Sequence, residues 1–390
     1  MRNTPNLYDT LFQILSQHSH WSDIRHLHTL IWMAIGLIES KTINLPEWAT
    51  FTDSRAKFAQ STVRRFSRWM HNRRIKIYKL YGPIIADALA DWGNHTIYLA
   101  LDTTMLWNTF CQIRLSVIYR GRAVPVLWKT IKHGSSAVSF AEYRELLNEG
   151  KKLLPLGANV IFMADRGFAD TELMSYLSET LHWHWRIRIK SSFSVYRRGE
   201  KRAKTGSIWL KRGQALFLQK VRITEKKFGH VYLALAKPHG VDENWFIVSD
   251  QPTSTKTFEE YGLRFDIEEN FLDDKSNGFQ LESSSFRSAM AISRLTLILA
   301  VTTLFLASQG TEVVASEKRR YVDAHWFRGN SYLKIGWKWV QRASVKGYEL
   351  IARFALSPLP DPEPAMAYKK QAEERKKSKF SIQTEIFYAY

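Results

Sequence analysis

Two short apolar runs in this sequence each give way to an aspartate. Ile97-Tyr98-Leu99-Ala100-Leu101 leads into Asp102-Thr103-Thr104, and Asn159-Val160-Ile161-Phe162-Met163-Ala164 leads into Asp165-Arg166-Gly167. Apolar runs of this length bounded by polar segments read as buried strands. A carboxylate at the end of such a strand is presented where a ligand can reach it. One aspartate in that position more often caps the turn that follows. Two of them at neighbouring strand ends suit hard-cation chemistry, and a pair of divalent ions needs a third carboxylate.

The third carboxylate is sought in the segment Tyr261 to Lys275. At about 100° per residue, with Tyr261 as zero, Arg264 falls near ~300°, Glu268 near ~340° and Lys275 near ~320°. One tyrosine, one carboxylate and two cations therefore share a stripe roughly 60° wide, while Glu269 at about 80° lies off it. An ordinary surface helix would explain only an Arg264–Glu268 pair, worth about 0.2–0.5 kcal/mol. A carboxylate that holds metal beside cations that grip phosphate accounts for all four. Arg188 and Lys190, two apart on an expected strand, are expected to share a face and to contact phosphate as well.

The overall charge fits a polyanionic partner. The 390 residues carry 56 Lys and Arg against 37 Asp and Glu, a formal net charge of +19. An excess of that size points to nucleic acid or an acidic membrane surface. The bases are clustered: residues 186–230 hold fourteen of them and two glutamates, and a second group runs from Arg55 to Lys76. Phe66, Trp69, Phe193, Tyr196 and Trp209 are interleaved with these bases and offer stacking surfaces. A single cysteine, Cys111, excludes an internal disulfide and a cysteine-based zinc site and suggests a reducing compartment. The N-terminal stretch lacks the pattern of a signal peptide. The longest apolar run, Leu295 to Ala307, is shorter than a membrane span and reads as a buried helix. The His26-Leu27-His28 and His182-Trp183-His184 pairs read as structural. No Walker-type phosphate loop is present, so no nucleotide cofactor is expected.

These residues need elements to hold them. Residues 6 to about 92 show helical periodicity, with a basic amphipathic helix over Thr62–Asn72. From Thr96 the expected order is three strands, helix, strand, helix, strand, with a hairpin at Arg120-Gly121-Arg122. That order fits an α/β fold: an RNase H-like mixed sheet with flanking helices. Short strands alternate with basic turns over about 191–250, and the chain is expected to be helical again from about Thr257. The expected domains are a helical, DNA-binding unit over 1–92, a catalytic α/β domain over 93–306 with its β-rich insertion, and a C-terminal helical region over 307–390 suited to dimerisation. A Pro-rich break spans Ser357 to Pro364, followed by a charged, helix-prone stretch from Met366 to Lys379.

Tyr261, Arg264, Glu268 and Lys275 reproduce the pattern Y-(2)-R-(3)-E-(6)-K. Together with Leu99-Ala100-Leu101-Asp102-Thr103-Thr104 and Ala164-Asp165-Arg166-Gly167-Phe168, they make the chain resemble the DDE transposases of the insertion-sequence-four group. The resemblance covers roughly residues 96–306. The separations, 63 residues from Asp102 to Asp165 and 103 from Asp165 to Glu268, leave room for the insertion that the family carries. The resemblance implies cut-and-paste DNA transposition, with Asp102, Asp165 and Glu268 as catalytic residues and ligands of two Mg²⁺ or Mn²⁺ ions. It implies DNA contacts from Tyr261, Arg264, Lys275, Arg188 and Lys190. In relatives with this signature the transposon end passes through a hairpin and a flipped base stacks on a tryptophan. Trp245 is the candidate by position, with Trp209 as the fallback. Double-stranded DNA (terminal inverted repeats and target) and a second copy of the chain are the implied partners, in the cytoplasm of a prokaryotic cell. A divalent-metal-dependent nuclease without strand transfer and a non-catalytic DNA-binding relative are the rival readings.

Overall fold

The computed structural model describes residues 4–18, 21–197, 201–240, 242–365 and 382–388. Five helices open the chain: α1 (Thr4–His18), α2 (Ile24–Ser40), α3 (Leu45–Thr50), α4 (Ala59–His71) and α5 (Ile77–Ala88). Their periodic apolar residues, among them Leu7, Leu11, Leu27, Ile31 and Ile38, are buried. On α4, Arg64 and Arg68 are exposed. Phe66 and Trp69 are buried, however, and Trp69 Nε1 donates to the His26 carbonyl at 3.1 Å. These two rings pack the helix down and offer no stacking surface.

The sheet follows in the expected order. Strands β1 (Thr96–Leu106), β2 (Phe110–Tyr119) and β3 (Arg122–Lys132) form an antiparallel meander. Its second turn, Arg120-Gly121, has both residues at positive φ, 50° and 81°, the twist that tight hairpins favour. Helix α6 (Phe140–Leu153) leads to β4 (Asn159–Ala164), parallel to β1. Helix α7 (Thr171–Ser175) and a π-helical turn over Tyr176–Leu181 lead to β5 (His184–Arg188), parallel to β4. These five strands run in the order 3-2-1-4-5. Strands β6 (Ser194–Tyr196), β7 (Ala203–Lys204), β8 (Gln214–Ile223), β9 (Phe228–Lys237) and β10 (Trp245–Ser249) extend the same sheet beyond β5, in the order β10-β9-β8-β6-β7. Arg198 and Glu200, counted above in the basic cluster, lie outside the described residues.

Helices α8 (Thr255–Gly262) and α9 (Phe265–Leu272) and a π-helical turn over Asp273–Asn277 then cross one face of the sheet. Along β1 and β4, alternate residues separate by face, as period-two side chains must. Ala100, Ile161 and Met163 pack with Ile267 and Phe271 of α9. Leu99, Leu101, Val160, Phe162 and Ala164 join the main core on the other face. That core also takes in α1, α2 and α10 (Ala289–Ala315), so packing is continuous across the boundary expected near residue 92. By length and composition α10 could cross a membrane, but 83% of its most apolar stretch is buried inside the protein.

Helix α11 (Tyr332–Lys346) crosses α10 with backbones nearly touching. A Cβ at Gly310 would meet the Tyr332 carbonyl at 2.0 Å, and one at Gly336 would meet the Leu306 carbonyl at 1.9 Å. Only glycine fits at that crossing. The C-terminal region expected to be helical over 307–390 holds α11 but also a strand, β11 (Ile382–Tyr388), which pairs in parallel with β8. The charged stretch Met366–Lys379 lies outside the described residues.

Candidate active site

Strand register brings the two aspartates together. The β1–β4 ladder ends at Leu101 opposite Ala164, so Asp102 and Asp165 are the next residues on adjacent parallel strands. Both follow the alternation of Ala100 and Met163 and therefore face α9. Asp102 is not the end of its strand, as the sequence suggested. On its other side β1 keeps pairing with β2 through Leu106, so only the β4 edge opens at the aspartate.

Each aspartate is held by the backbone beside it. Asp102 Oδ1 accepts from the Thr103 amide at 2.8 Å. Asp165 Oδ1 accepts from the Gly167 amide at 2.8 Å, capping a short 3₁₀ turn. A Cβ at Gly167 would lie 3.0 Å from that same oxygen, which explains the glycine two residues after the aspartate. Asp102 is mostly buried, and burial pushes its carboxyl up to about 6. Arg264 and the Thr103 amide pull the other way, and the charges of Asp165 and Glu268 add to the rise.

Glu268, on α9, is tied to Asp102 through Arg264. Arg264 Nη1 donates to Asp102 Oδ2 at 3.0 Å and its Nη2 donates to Glu268 Oε1 at 2.5 Å. Glu269 turns away toward Arg122, 3.9 Å off. Arg264 is only 4% exposed and also lies over the rings of Tyr261 and Phe265, so its fork points at carboxylates and not at solvent. The expected stripe brought Arg264 and Glu268 together, as the structure does, but the phosphate-gripping role expected for Arg264 gives way to the contact with Asp102, and the segment is not one straight helix. Leu263 and Arg264 form a turn between α8 and α9, and the wider turn at Asp273–Asn277 shifts the phase again. Lys275 sits on that wider turn, where its Nζ donates to the Met105 carbonyl at 2.7 Å and pairs with Glu282 at 3.4 Å.

Tyr261 is fully buried, edge-on to Trp245 at 6.1 Å between ring centres. Trp245 also packs on Phe258 and Phe265. Trp209, by contrast, is 74% exposed. Arg188 ends β5, one step past the Ala164–Ile187 pair and therefore beside Asp165. Lys190 is exposed and follows the strand, so the shared strand face expected for the two is corrected to a shared cleft of about 550 Å³.

Further residues, silent in the motif, dock the helix that carries Glu268. Arg114 lies opposite Asp102 on β2 and is fully buried. It pairs with Asp274 at 2.6 Å and donates to Asn270 and Gln112, each at 2.6 Å. Arg122 pairs with Asp273 at 2.9 Å. The signal was available: an arginine inside the apolar run of β2 requires a buried partner.

The donor types, two aspartates where adjacent inner strands part and a glutamate on the helix over them, suit a hard divalent cation. Among the described residues no three His, Cys, Asp or Glu side chains stand close enough to cage one, and Arg264 fills the space between two of the candidates.

No curated protein sequence matches the chain. Among solved structures, the chain is similar to a piggyBac transposase synaptic complex with hairpin DNA, at 10% identity over 96% of this chain and 89% of that one, with a TM-score of 0.45. It is also similar to Marinitoga piezophila Argonaute in complex with 5′ OH guide RNA and target DNA, at 10% identity over 44% of this chain and 26% of that one, with a TM-score of 0.20. Neither likeness bears on function at those scores. The sequence profile of the transposase DDE domain matches residues 108–305, the span from the first hairpin to the middle of α10. The chain belongs to the transposase DDE domain family.

Proposed function

We propose that this transposase is of the insertion-sequence-four group and cuts and joins DNA ends with Asp102, Asp165 and Glu268 on an RNase H-like core. The observation that carries the reading is the β1–β4 register, which sets Asp102 beside Asp165 on the face that α9 covers with Glu268. The strand order 3-2-1-4-5, with three antiparallel strands followed by two parallel ones, supports the RNase H-like assignment.

Asp102, Asp165 and Glu268 would hold two Mg²⁺ or Mn²⁺ ions. Such ions, when bound, activate water or a 3′-hydroxyl and stabilise the leaving oxygen. The chain's own residues do the rest. Thr103 and Gly167 amides fix one oxygen of each aspartate and leave the other to face α9. Arg264 offsets the repulsion between Asp102 and Glu268, and it would have to withdraw from between them for these carboxylates to hold a cation. Arg188 and Lys190 receive the DNA backbone beside Asp165, with Lys275 at the β1 side. Trp245 backs the aromatic group under Arg264, and the exposed Trp209 now stands ahead of it as the ring for an extruded base. The element's terminal repeats and target DNA are the substrates, the working form is a homodimer on DNA in the cytoplasm, and no nucleotide cofactor takes part.

Replacing Asp102, Asp165 or Glu268 with alanine should abolish Mg²⁺-dependent cleavage of transposon-end DNA while duplex binding in a gel-shift assay persists, since phosphate contacts come from other residues. Substantial cleavage by Glu268→Ala would overturn the assignment and point to Glu269. Strand joining in the same assay separates a transposase from a plain nuclease, and hairpin products would report the route.

A further inference from the structure

One side chain beside the carboxylates, Glu243, belongs to no motif. The cleft next to Asp165 is lined by Arg166, Arg188, Lys190, Ser191, Glu243 and Asn244, among others. Its charged lining is three cations and one acid. The acid sits between two of the cations: Glu243 Oε2 accepts from Arg188 Nη2 at 2.6 Å, and its Oε1 lies 3.7 Å from Arg166 Nη1. One carboxylate thus bridges two guanidinium groups with its two oxygens. Two guanidinium groups converging on one oxyanion is the arrangement that recognises phosphate. The glutamate side chain is 57% exposed and rises from the segment before β10, so nothing in the core depends on it.

We propose that Glu243 occupies the phosphate position of this cleft until nucleic acid displaces it. The inference rests on the reading above that nucleic acid is the substrate. Position supports a strand over a free anion. Register places Arg188 immediately beside Asp165, so a phosphate held there lies one step from the carboxylates. The cleft, at about 550 Å³, has room for a continuing backbone. Displacement exchanges one ion pair for another, so Glu243 sets a threshold for binding: short or poorly aligned backbones fail to remove it.

The test compares Glu243→Gln with wild type for binding a short mixed-sequence DNA duplex at fixed salt. Removing an acid raises affinity for DNA wherever it lies, so Asp242→Asn is the control. Asp242 is fully exposed and pairs with Arg212 at 3.3 Å, outside the cleft lining. Glu243→Gln should tighten binding roughly three- to fivefold, the equivalent of one exposed ion pair, with Asp242→Asn well below that. In an Arg188→Gln background the gain from Glu243→Gln should vanish. Inorganic phosphate is the second probe and should compete only where it screens charge generally. Equal gains from the two acid variants, or a gain that survives Arg188→Gln, would overturn the proposal. So would saturable competition by phosphate at low concentration, which would mark a free-anion site. Cleavage by the carboxylate variants is scored separately, so failure of the catalytic assignment leaves this binding comparison readable.

Discussion

Arg264 illustrates how little a residue's type says about its task until its partners are known. The fork reaches Asp102 with one nitrogen and Glu268 with the other, which a lysine could not do with one ammonium. Removing one partner of a buried pair strands the remaining charge. Arg264→Met should therefore destabilise the protein by about 2 kcal/mol near pH 8, below the usual cost of breaking a fully buried pair because Glu268 is half exposed. The pH dependence follows from Asp102. Its carboxyl is already raised to about 6 in the folded chain, against about 3.9 unfolded, so the folded state binds more protons across that window. Stability contributed by this group therefore falls as pH rises from about 4 through 6. Losing Arg264 raises the folded value further, so the penalty is largest at pH 8 and shrinks toward pH 5. Urea denaturation at the two pH values checks this, and a penalty that grows on acidification contradicts the pairing. The aspartates themselves were legible in the sequence because apolar runs stop visibly. Of Arg264's partners, Glu268 was legible from the i,i+4 spacing, but Asp102 was not, because a helical wheel gives an azimuth and no contact across the fold.

At the scale of elements, position is enforced by charges that the motif omits. The turn after α9 is fastened to β2 by Arg114 and Asp274, whose side chains are 0% and 3% exposed. Arg114 also lies over the Phe271 ring at 4.7 Å. Breaking such a pair from one side costs about 3–5 kcal/mol, whereas replacing both partners with apolar groups of similar size is often nearly neutral. Asp274→Asn should accordingly lower the denaturant midpoint sharply, and Arg114→Met combined with Asp274→Leu should recover most of it. Equal losses in the single and double variants would show that the pair is not what docks the helix. The order of elements along the chain and the hairpin at Arg120-Gly121 were readable because period-two runs and turn residues are local signals. The run of β1 past Asp102 was not, since a strand lasts as long as either neighbour pairs with it, and here β2 outlasts β4.

Across the whole molecule, one sheet joins the candidate site to the basic β-rich segment, and the chain's last described strand completes it. Strand β6 covers only the Arg222–Ile223 end of β8, at Tyr196 and Val195. From Gln214 to Gln219 that edge of β8 is paired by β11 instead. Nothing local in the sequence announced this strand, because its partner lies more than 150 residues earlier and the stretch after the Pro-rich break at 357–364 reads as a charged helix. An uncovered strand edge is a template for pairing with another chain. Buried Leu216, Phe217 and Leu218 show that the edge is apolar as well as unpaired once β11 is gone. A chain truncated after Ala365 should therefore keep the α9 docking and the carboxylate register but self-associate through β8, with light scattering rising steeply with concentration while the full-length chain stays constant. A charged substitution on the exposed edge, Gln214→Lys, should suppress that association in the truncated chain, as lysines on edge strands do. If the truncated chain instead remains as dispersed as the full-length one, β11 is not what protects the edge.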